Sequence, residues 1–186
     1  MKKARVYTRT GDEGSSQLLS VGRVPKDHLR LTVYGDVDEL NSVIGLAMAF
    51  EPAASLAQQL GAIQNTLFVL GSQIAVPRPD EVGFPIPSLV ADDTVQLEGW
   101  IDAMDAELTP LKNFILPGGT RAASQLHVAR TVCRRCERHL QSLNQAETVP
   151  APARTYVNRL SDYLFTAARY DNQANGVADI GWTSRD

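Results

Sequence analysis

The chain has 186 residues, which suits a single domain able to bury a sizeable core. Hydrophobic residues make up 44% and charged residues 21%, the composition of a globular protein, which excludes disordered, collagen-like and coiled-coil chains. No apolar run reaches the roughly 20 residues that cross a bilayer, and no apolar signal core follows the N-terminus. We therefore expect a protein of the cytoplasm that has no membrane partner.

The net charge of −3 conceals an uneven distribution of charge along the chain. Residues 1–35 carry +4 and residues 120–140 carry +4, whereas residues 36–119 between them carry −10. Fourteen of the 18 basic residues are arginine, whose planar guanidinium matches phosphate better than the point charge of lysine does. So little basic surface on an acidic chain argues against a nucleic-acid partner and favours a small polyanion.

The chain begins with an arm and continues into helices. The first 28 residues lack helical periodicity and contain three glycines, which predicts a flexible arm. Residues 36–75 are predicted to be helical, with Asp36 and Glu39 at the spacing of a capping box. Pro52 divides this region into two helices, and the second has the apolar stripe of a bundle helix. That stripe consists of Leu56, Leu60, Ile63, Leu67, Leu70 and Ile74.

Three further helices complete the predicted bundle. A proline-rich surface connection at residues 76–91 precedes the third helix, which Asp92 or Asp93 can cap. Thr120 or a neighbour caps the fourth helix, and Pro152 lies in or near the first turn of the fifth. Alternation typical of a strand is weak and confined to one short stretch, so the pattern predicts an all-α five-helix bundle. The single domain is predicted to comprise an arm at 1–28, a bundle at 29–175 and a tail at 176–186.

The arm has the composition of a phosphate-binding loop. Its glycines let backbone amides approach an anion, its hydroxyls can donate to phosphate oxygens, and its basic side chains add charge. Asp12 could hold a Mg²⁺ ion that bridges phosphates, although the loop lacks the Gly-Lys-Ser/Thr of a Walker motif. A polar, disordered N-terminus is the alternative. The candidate residues are Thr8, Arg9, Thr10, Gly11, Asp12, Gly14, Ser15, Ser16 and Lys26.

The predicted fourth helix carries a charged face opposite its apolar stripe. Its members, at i, i+4, i+7 and i+8, are Arg130, Arg134, Glu137 and Arg138. Like charges four residues apart repel, so this face costs stability unless an anion or an acidic partner contacts it. The candidate partners are a ligand phosphate and the acidic cluster at 36–39, in the same chain or in a neighbouring subunit. A solvated charged face is the alternative.

Two further patterns are weaker. On the fifth helix a mixed polar stripe can line a sugar or base site, or make a polar contact between helices; it consists of Asn158, Asp162, Phe165 and Arg169. On the fourth helix Cys133 and Cys136 have a spacing found in zinc sites, with histidines nearby. Both cysteines lie on the apolar stripe, however, so we interpret them as core residues.

Six strings occur in order along the chain: YTRTGDEG at 7–14, GRVPK at 22–26, GDVDELNS at 35–42, FILPGG at 114–119, ARTVCRRCE at 129–137 and NRLSDYLF at 158–165. In this order they resemble the PduO-type ATP:corrinoid adenosyltransferases, which make adenosylcobalamin. Two places in the sequence depart from the family pattern. Serines occupy 15–16, where threonine is common, and Tyr34 stands where a small residue is expected.

The resemblance implies a homotrimer of five-helix bundles, with ATP and the corrinoid bound between adjacent subunits. It implies that the N-terminal loop and Lys26 hold the triphosphate, with Mg²⁺ bound through the phosphates. Arg130 and Arg134 would act in catalysis and, with Glu137, would line the ATP site. Asn158 would contact the nucleoside.

For the corrinoid, the resemblance implies that Phe114 lies under the ring and displaces the lower cobalt ligand, with Phe165 also in the site. Asp36 or Asp38 would meet the arginine helix across the subunit boundary, at the corrinoid site. Co(I) is itself a strong nucleophile, so positioning and electrostatics suffice, and no general base is needed.

The implied reaction transfers the 5′-deoxyadenosyl group of ATP to Co(I) and releases tripolyphosphate. A cobalamin or flavin reductase would supply the electron, and an adenosylcobalamin-dependent enzyme would accept the product. The alternative functions are a non-catalytic ATP-binding bundle that acts as a sensor or corrinoid carrier, and an interaction scaffold whose arginine face binds an acidic neighbour.

Overall fold

A computed structural model describes residue 7 and residues 9–184. The helices of this part are α1 Leu29–Met48, α2 Ala54–Ala75, α3 Ala91–Asp105, α4 Arg121–Ala146 and α5 Ala151–Ala174. Ahead of them, β1 Ser15–Leu18 and β2 Gly22–Pro25 form an antiparallel hairpin, in which Ser16 pairs with Val24. The predicted five-helix bundle is confirmed, and a hairpin replaces part of the predicted flexible arm. Thr8 lies outside the described residues.

Helix α1 begins at Leu29, so the predicted start at Asp36 is wrong. His28 caps the helix, because its Nδ1 accepts a hydrogen bond from the Arg30 amide at 3.2 Å. Val33 is fully buried, which places the weakly alternating stretch in the helical stripe and not in a strand. Such a short apolar stretch does not separate a helix from a strand by periodicity alone. Asp36 therefore lies in the middle of α1.

The other predicted helix boundaries agree closely with the structure. Pro52 lies between α1 and α2, and every residue of the α2 apolar stripe is at most 1% exposed. Thr120 caps α4, since its Oγ1 accepts from the Ala123 amide at 2.9 Å. Asp93 accepts from the Val90 amide at 2.8 Å and so supports the start of α3 from inside the first turn. Pro152 lies in the first turn of α5.

Helix α4 lies at the centre of the bundle. It packs against α1 on one side and α5 on the other, while α2 covers α1 and α3 covers α5. Cys133 and Cys136 are fully buried in this core, as predicted, and the Cys133 thiol donates to the Val157 carbonyl at 3.2 Å. The Tyr34 ring lies over Gly71, where a Cβ would come within 3.5 Å of it. None of the described helices is both long and apolar enough to span a bilayer.

Candidate functional site

The predicted phosphate loop is held closed by a residue that the sequence did not single out. The guanidinium of Arg23 donates to the Ser15 hydroxyl at 2.6 Å and to the Ser15 carbonyl at 3.1 Å, and it also bonds the Thr10 carbonyl. The Lys26 amide donates to the Gly14 carbonyl at 2.9 Å, and Gly14 has a φ of +79°. Arg23 and the hairpin thus shape residues 10–15 into a defined loop.

The absence of a side chain at Gly11 lets the loop fold back on itself. A Cβ at Gly11 would lie 3.3 Å from the Ser15 carbonyl and 3.6 Å from the Lys26 ammonium, so Lys26 reaches the turn of the loop. Arg9 has a φ of +62°, and its guanidinium lies 5.5 Å from the centre of the Tyr7 ring. Lys26 is exposed, as is Asp12. The loop therefore presents cationic groups to solvent, together with the carboxylates of Asp12 and Glu13.

The basic side chains of α4 lie in two different surroundings. Arg130 and Arg134 line a cleft of about 590 Å³ between α3, α4 and α5, together with Asp162 and Phe165. Within the described part of the chain, neither of these two arginines forms an ion pair, and the Arg130 Nε is buried without a hydrogen-bond partner. Burial, and secondly the charge of Arg134, lower the pKa of Arg130. An anion bound here would relieve both effects.

Beside the charged face of α4, Arg135 and His139 meet the acidic cluster inside the same chain. Asp36 is buried and contacts His139 Nδ1 at 2.5 Å and Arg135 Nε at 3.5 Å, and Arg135 also bonds Glu39. Within the subunit, the Asp36 carboxylate is thus engaged between α1 and α4. That Asp36 or Asp38 meets the arginine helix of a neighbouring subunit stays a prediction. Asp38 is exposed on α1.

Two predicted nucleoside-side residues contact each other between α4 and α5. The Asn158 amide donates to the Glu137 carboxylate at 2.8 Å. The remaining polar residues of the α5 stripe have separate partners. Asp162 accepts from Arg159 at 2.7 Å, and Arg169 points to the C-terminal tail. The mixed stripe thus supplies contacts between elements as well as cleft-lining residues.

A second cleft adjoins the first. Its volume is about 1070 Å³, and it shares Arg130 and Phe165 with the arginine cleft. Phe114 and Trp182 line it from the loop before α4 and from the tail. Phe114 is 82% exposed, which is unusual for a phenylalanine and leaves its ring available to a ligand. The two clefts together form a charged compartment beside an aromatic one.

Backbone pairing between the tail and the Phe114 loop was not predicted. The Trp182 amide donates to the Phe114 carbonyl at 2.7 Å, and the Leu116 amide donates to the Ile180 carbonyl at 2.8 Å. Both paired segments, the tail and the Phe114 loop, are short and lie next to glycine or proline. Neither segment therefore has a sequence pattern that predicts a strand. Among the described residues, no three His, Cys, Asp or Glu side chains come together as a metal site.

The sequence model of the family described as cobalamin adenosyltransferase matches residues 6–171. The chain belongs to this family. A cobalamin adenosyltransferase from Cupriavidus metallidurans is 44% identical over 96% of this chain and 94% of its own length. A corrinoid adenosyltransferase from Citrobacter freundii is 44% identical over 93% of this chain and 98% of its own.

Solved structures of the family share the fold. A phenylalanine-to-alanine variant of a PduO-type ATP:corrinoid adenosyltransferase from Lactobacillus reuteri, complexed with cobalamin and ATP, has a TM-score of 0.91 and 37% identity. The match covers 97% of this chain and 100% of that one. An arginine-to-lysine variant of a PduO-type adenosyltransferase from the same organism, complexed with ATP, has a TM-score of 0.86 and 36% identity.

Proposed function

We infer that the chain transfers the 5′-deoxyadenosyl group of ATP to the cobalt of a corrinoid. The observation that carries this function is a pair of adjoining clefts that share Arg130 and Phe165. In one, Arg130 and Arg134 have no ion-pair partner among the described residues, and in the other Phe114 is exposed. The α4 side of the charged compartment, where Arg130 and Arg134 lie, suits a polyphosphate, whereas carboxylates of α3 line the opposite side. The aromatic compartment suits a large flat ring. A neighbour complexed with both cobalamin and ATP supports this division.

The ATP half combines the arm with the arginine cleft. The loop at 10–15 and Lys26 bind the triphosphate through backbone amides, hydroxyls and one ammonium group. Arg130 and Arg134 bind phosphate oxygens, and Glu137 with Asn158 orients the nucleoside. Mg²⁺ is held through the phosphates, with Asp12 as the carboxylate in reach of the loop; a magnesium ion bound mainly by phosphates and water needs few protein ligands.

Catalysis rests on positioning and charge. Reduced Co(I) in the corrinoid substrate attacks C5′ of ATP, the C5′–O5′ bond breaks, and tripolyphosphate leaves with the electron pair. Arg130 and Arg134 stabilise the negative charge that grows on the leaving group. Holding C5′ in line with cobalt replaces a random encounter by a fixed geometry. No side chain needs to remove a proton.

The corrinoid half presents an apolar wall. Phe114 and Phe165 contact the ring, and Phe114 takes the place of the lower cobalt ligand, which makes Co(II) easier to reduce. A cobalamin or flavin reductase supplies the electron, and an adenosylcobalamin-dependent enzyme takes the product. We place these reactions in the cytoplasm, where the two free buried thiols of the core persist unoxidised.

We propose that the protein works as a homotrimer whose sites lie between subunits. None of the described arm residues lines the arginine cleft, so an arm from a neighbouring subunit can complete it. Exposed apolar side chains on α2 and the following connection, such as Phe68 and Phe84, give the chain surface to bury on association. Asp38 then faces the arginine helix of the neighbour.

The deciding experiment mixes the protein with ATP, Mg²⁺ and chemically reduced cobalamin under strict anaerobiosis. The expected result is the absorbance spectrum of light-sensitive adenosylcobalamin and one tripolyphosphate per corrinoid. ATP binding without release of tripolyphosphate would instead identify a sensor or corrinoid carrier. Loss of the trimer with unchanged ATP affinity in Arg130→Ala would favour the interaction scaffold.

A further inference from the structure

Arg169 is a buried cation at the C-terminal end of α5 that the proposed chemistry does not use. Its side chain is only 8% exposed. The Nε donates to Asp179 of the tail at 2.8 Å, and the second guanidinium nitrogen donates to the Thr109 carbonyl at 2.7 Å. Asp179 itself is 20% exposed, so this ion pair is largely removed from solvent. One arginine thus joins α5 to the tail and to the start of the Phe114 loop.

Asn172, one turn further along α5, completes the arrangement. Its amide nitrogen donates to the Gly118 carbonyl at 3.1 Å and to Asp179 at 3.3 Å. Its amide oxygen accepts from the Thr120 amide at 2.9 Å. Arg169 and Asn172 therefore hold both ends of the loop at 109–119, and both bind the same carboxylate of the tail.

The tail in turn holds the backbone that directly follows the Phe114 side chain, from the Phe114 carbonyl to the Leu116 amide. Trp182 and Ile180 make the two hydrogen bonds that pair residues 114–116 with the tail. Packing does little to fix the ring, since Phe114 is 82% exposed. The direction of the ring depends on this backbone pairing, and the pairing begins one residue after the Asp179 contact.

We propose that the Arg169–Asp179 ion pair positions Phe114 for the corrinoid. It fixes the tail, the tail fixes the backbone at 114–116, and the ring is thereby held where the lower cobalt ligand must be displaced. The inference rests on the proposed role of Phe114. Neither Arg169 nor Asp179 touches the substrate, so both are positioning residues.

The test compares Asp179→Asn with Glu81→Gln. Asparagine keeps the shape of the side chain and removes the charge that pairs with Arg169. Glu81 forms an exposed ion pair with Arg78 outside both clefts, so its variant loses one carboxylate without affecting the tail. Hydrogen exchange of the Leu116 and Trp182 amides is measured first, followed by electron paramagnetic resonance of cob(II)alamin with ATP and by turnover.

In Asp179→Asn we expect the two amides to exchange at least about tenfold faster, because the local opening becomes easier. The spectral signature of Co(II) without a lower ligand should be lost, and turnover that starts from Co(II) should fall about 100-fold, the effect of a small misplacement. Reaction with pre-formed Co(I) and the Kd for ATP should stay close to those of the parent protein, because neither depends on displacing the lower cobalt ligand. Glu81→Gln should behave as the parent protein.

Wild-type exchange rates in Asp179→Asn would overturn the proposal, as would fast exchange with an unchanged Co(II) signature. Leu116→Pro is the second variant, because it removes one pairing amide without leaving Arg169 unpaired. It should reproduce the Co(II) defect even if Asp179→Asn does not fold; a normal Co(II) signature in Leu116→Pro also contradicts the proposal. Failure of the parent protein to form adenosylcobalamin would refute the proposed function, while the exchange data would still report on the tail.

Discussion

The arginines of α4 differ in whether an acidic side chain of the same chain pairs with them. Arg135 is engaged with the acidic cluster of α1, whereas Arg130 and Arg134 have no ion-pair partner in the part of the chain that the structure describes. The sequence predicted that the charged face needs an anionic or acidic partner and left both open. The structure gives Arg135, beside that face, an acidic partner. Arg130 and Arg134 line the cleft and are the residues of the face that can contact a ligand there.

Arg134→Ala should lower kcat/KM for adenosyl transfer by about 100-fold or more, because a preorganised cation facing the leaving phosphate is lost. The free energy of unfolding should change by less than about 0.5 kcal/mol, since the side chain is exposed. Steady-state kinetics and urea unfolding check the two statements. Arg138→Ala is the matched control, as it removes the same charge one turn away and should keep full activity.

Phe114→Ala should affect the reactions that start from Co(I) and from Co(II) differently. Reaction with pre-formed Co(I) should stay close to that of the parent protein, while the reaction that starts from Co(II) should slow strongly, because the lower ligand is no longer displaced. Stability should be unaffected, since the ring buries little surface in the subunit. Parallel assays with and without prior chemical reduction provide the measurement, and equal losses in both assays would contradict the assigned role.

At the scale of whole elements, α4 combines a reactive face with an inert one. Burial raises the pKa of Cys136 to about 12 and also raises the pKa of Cys133. Both side chains therefore remain thiols at neutral pH, which fits core residues and not metal ligands. The zinc interpretation rested on the cysteine spacing and the nearby histidines, and the position of the cysteines on the inner stripe was the better guide.

These thiols predict an alkaline limit to stability. The unfolded chain releases its thiol protons near pH 8.5, whereas folded Cys136 keeps its proton until about pH 12, so the unfolding free energy should fall between these values. The slope contributed by one thiol approaches about 1.4 kcal/mol per pH unit. Urea unfolding between pH 8 and 11 measures it, and Cys136→Ala should flatten the curve. A thiol reagent should find no reactive cysteine before unfolding and two afterwards.

The Phe114 loop has one position that tolerates only glycine. Gly119 has a φ of +112°, and a Cβ there would overlap the side-chain amide of Asn172. Gly119→Ala should therefore lower the free energy of unfolding by at least about 2 kcal/mol, the combined effect of backbone strain and a displaced buried amide. Gly118→Ala is the control, since a Cβ at Gly118 meets nothing within 4 Å. Equal stability of the two variants in urea unfolding would contradict the argument.

For the whole molecule, the central question is whether the arm and the arginine cleft of one site belong to the same subunit or to neighbouring subunits. The two basic segments of the sequence include the arm and α4, and they are separated by the acidic segment at 36–119, which contains most of α1 and all of α2 and α3. In the folded subunit no described arm residue lines the cleft. A site shared between subunits would bring the two basic segments together, as the homotrimer proposal requires.

Mixing two inactive variants tests this arrangement. Lys26→Ala subunits lack the arm cation, and Arg134→Ala subunits lack the cleft cation, so each homotrimer should be inactive. When equal amounts are co-expressed, about a quarter of the sites should combine an intact arm with an intact cleft. Activity near that level supports sites between subunits, and no recovery would place each site within one subunit. Light scattering confirms that the mixed assemblies are trimers.

Much of the bundle could be predicted from the sequence because apolar periodicity and capping residues act locally. The α2 stripe, the Thr120 cap and Pro152 are all where the pattern placed them. The start of α1 could not be predicted, because its cap is His28, an uncommon capping residue. Asp36 has the spacing of a capping residue although it lies inside the helix. The Arg169–Asp179 contact depends on tertiary pairing, which leaves no periodic signal along the chain.

Asp171 illustrates how strongly distant parts of this chain depend on one another. Its carboxylate accepts from the Ala53 amide at 2.9 Å, just before α2, and also bonds the hydroxyl of Thr120, the cap of α4. A single buried side chain thus joins the starts of two helices, beside the turn that carries Arg169. The effects of substitutions at these positions on the free energy of unfolding should not be additive. A substitution that destabilises the start of one helix will also destabilise the start of the other.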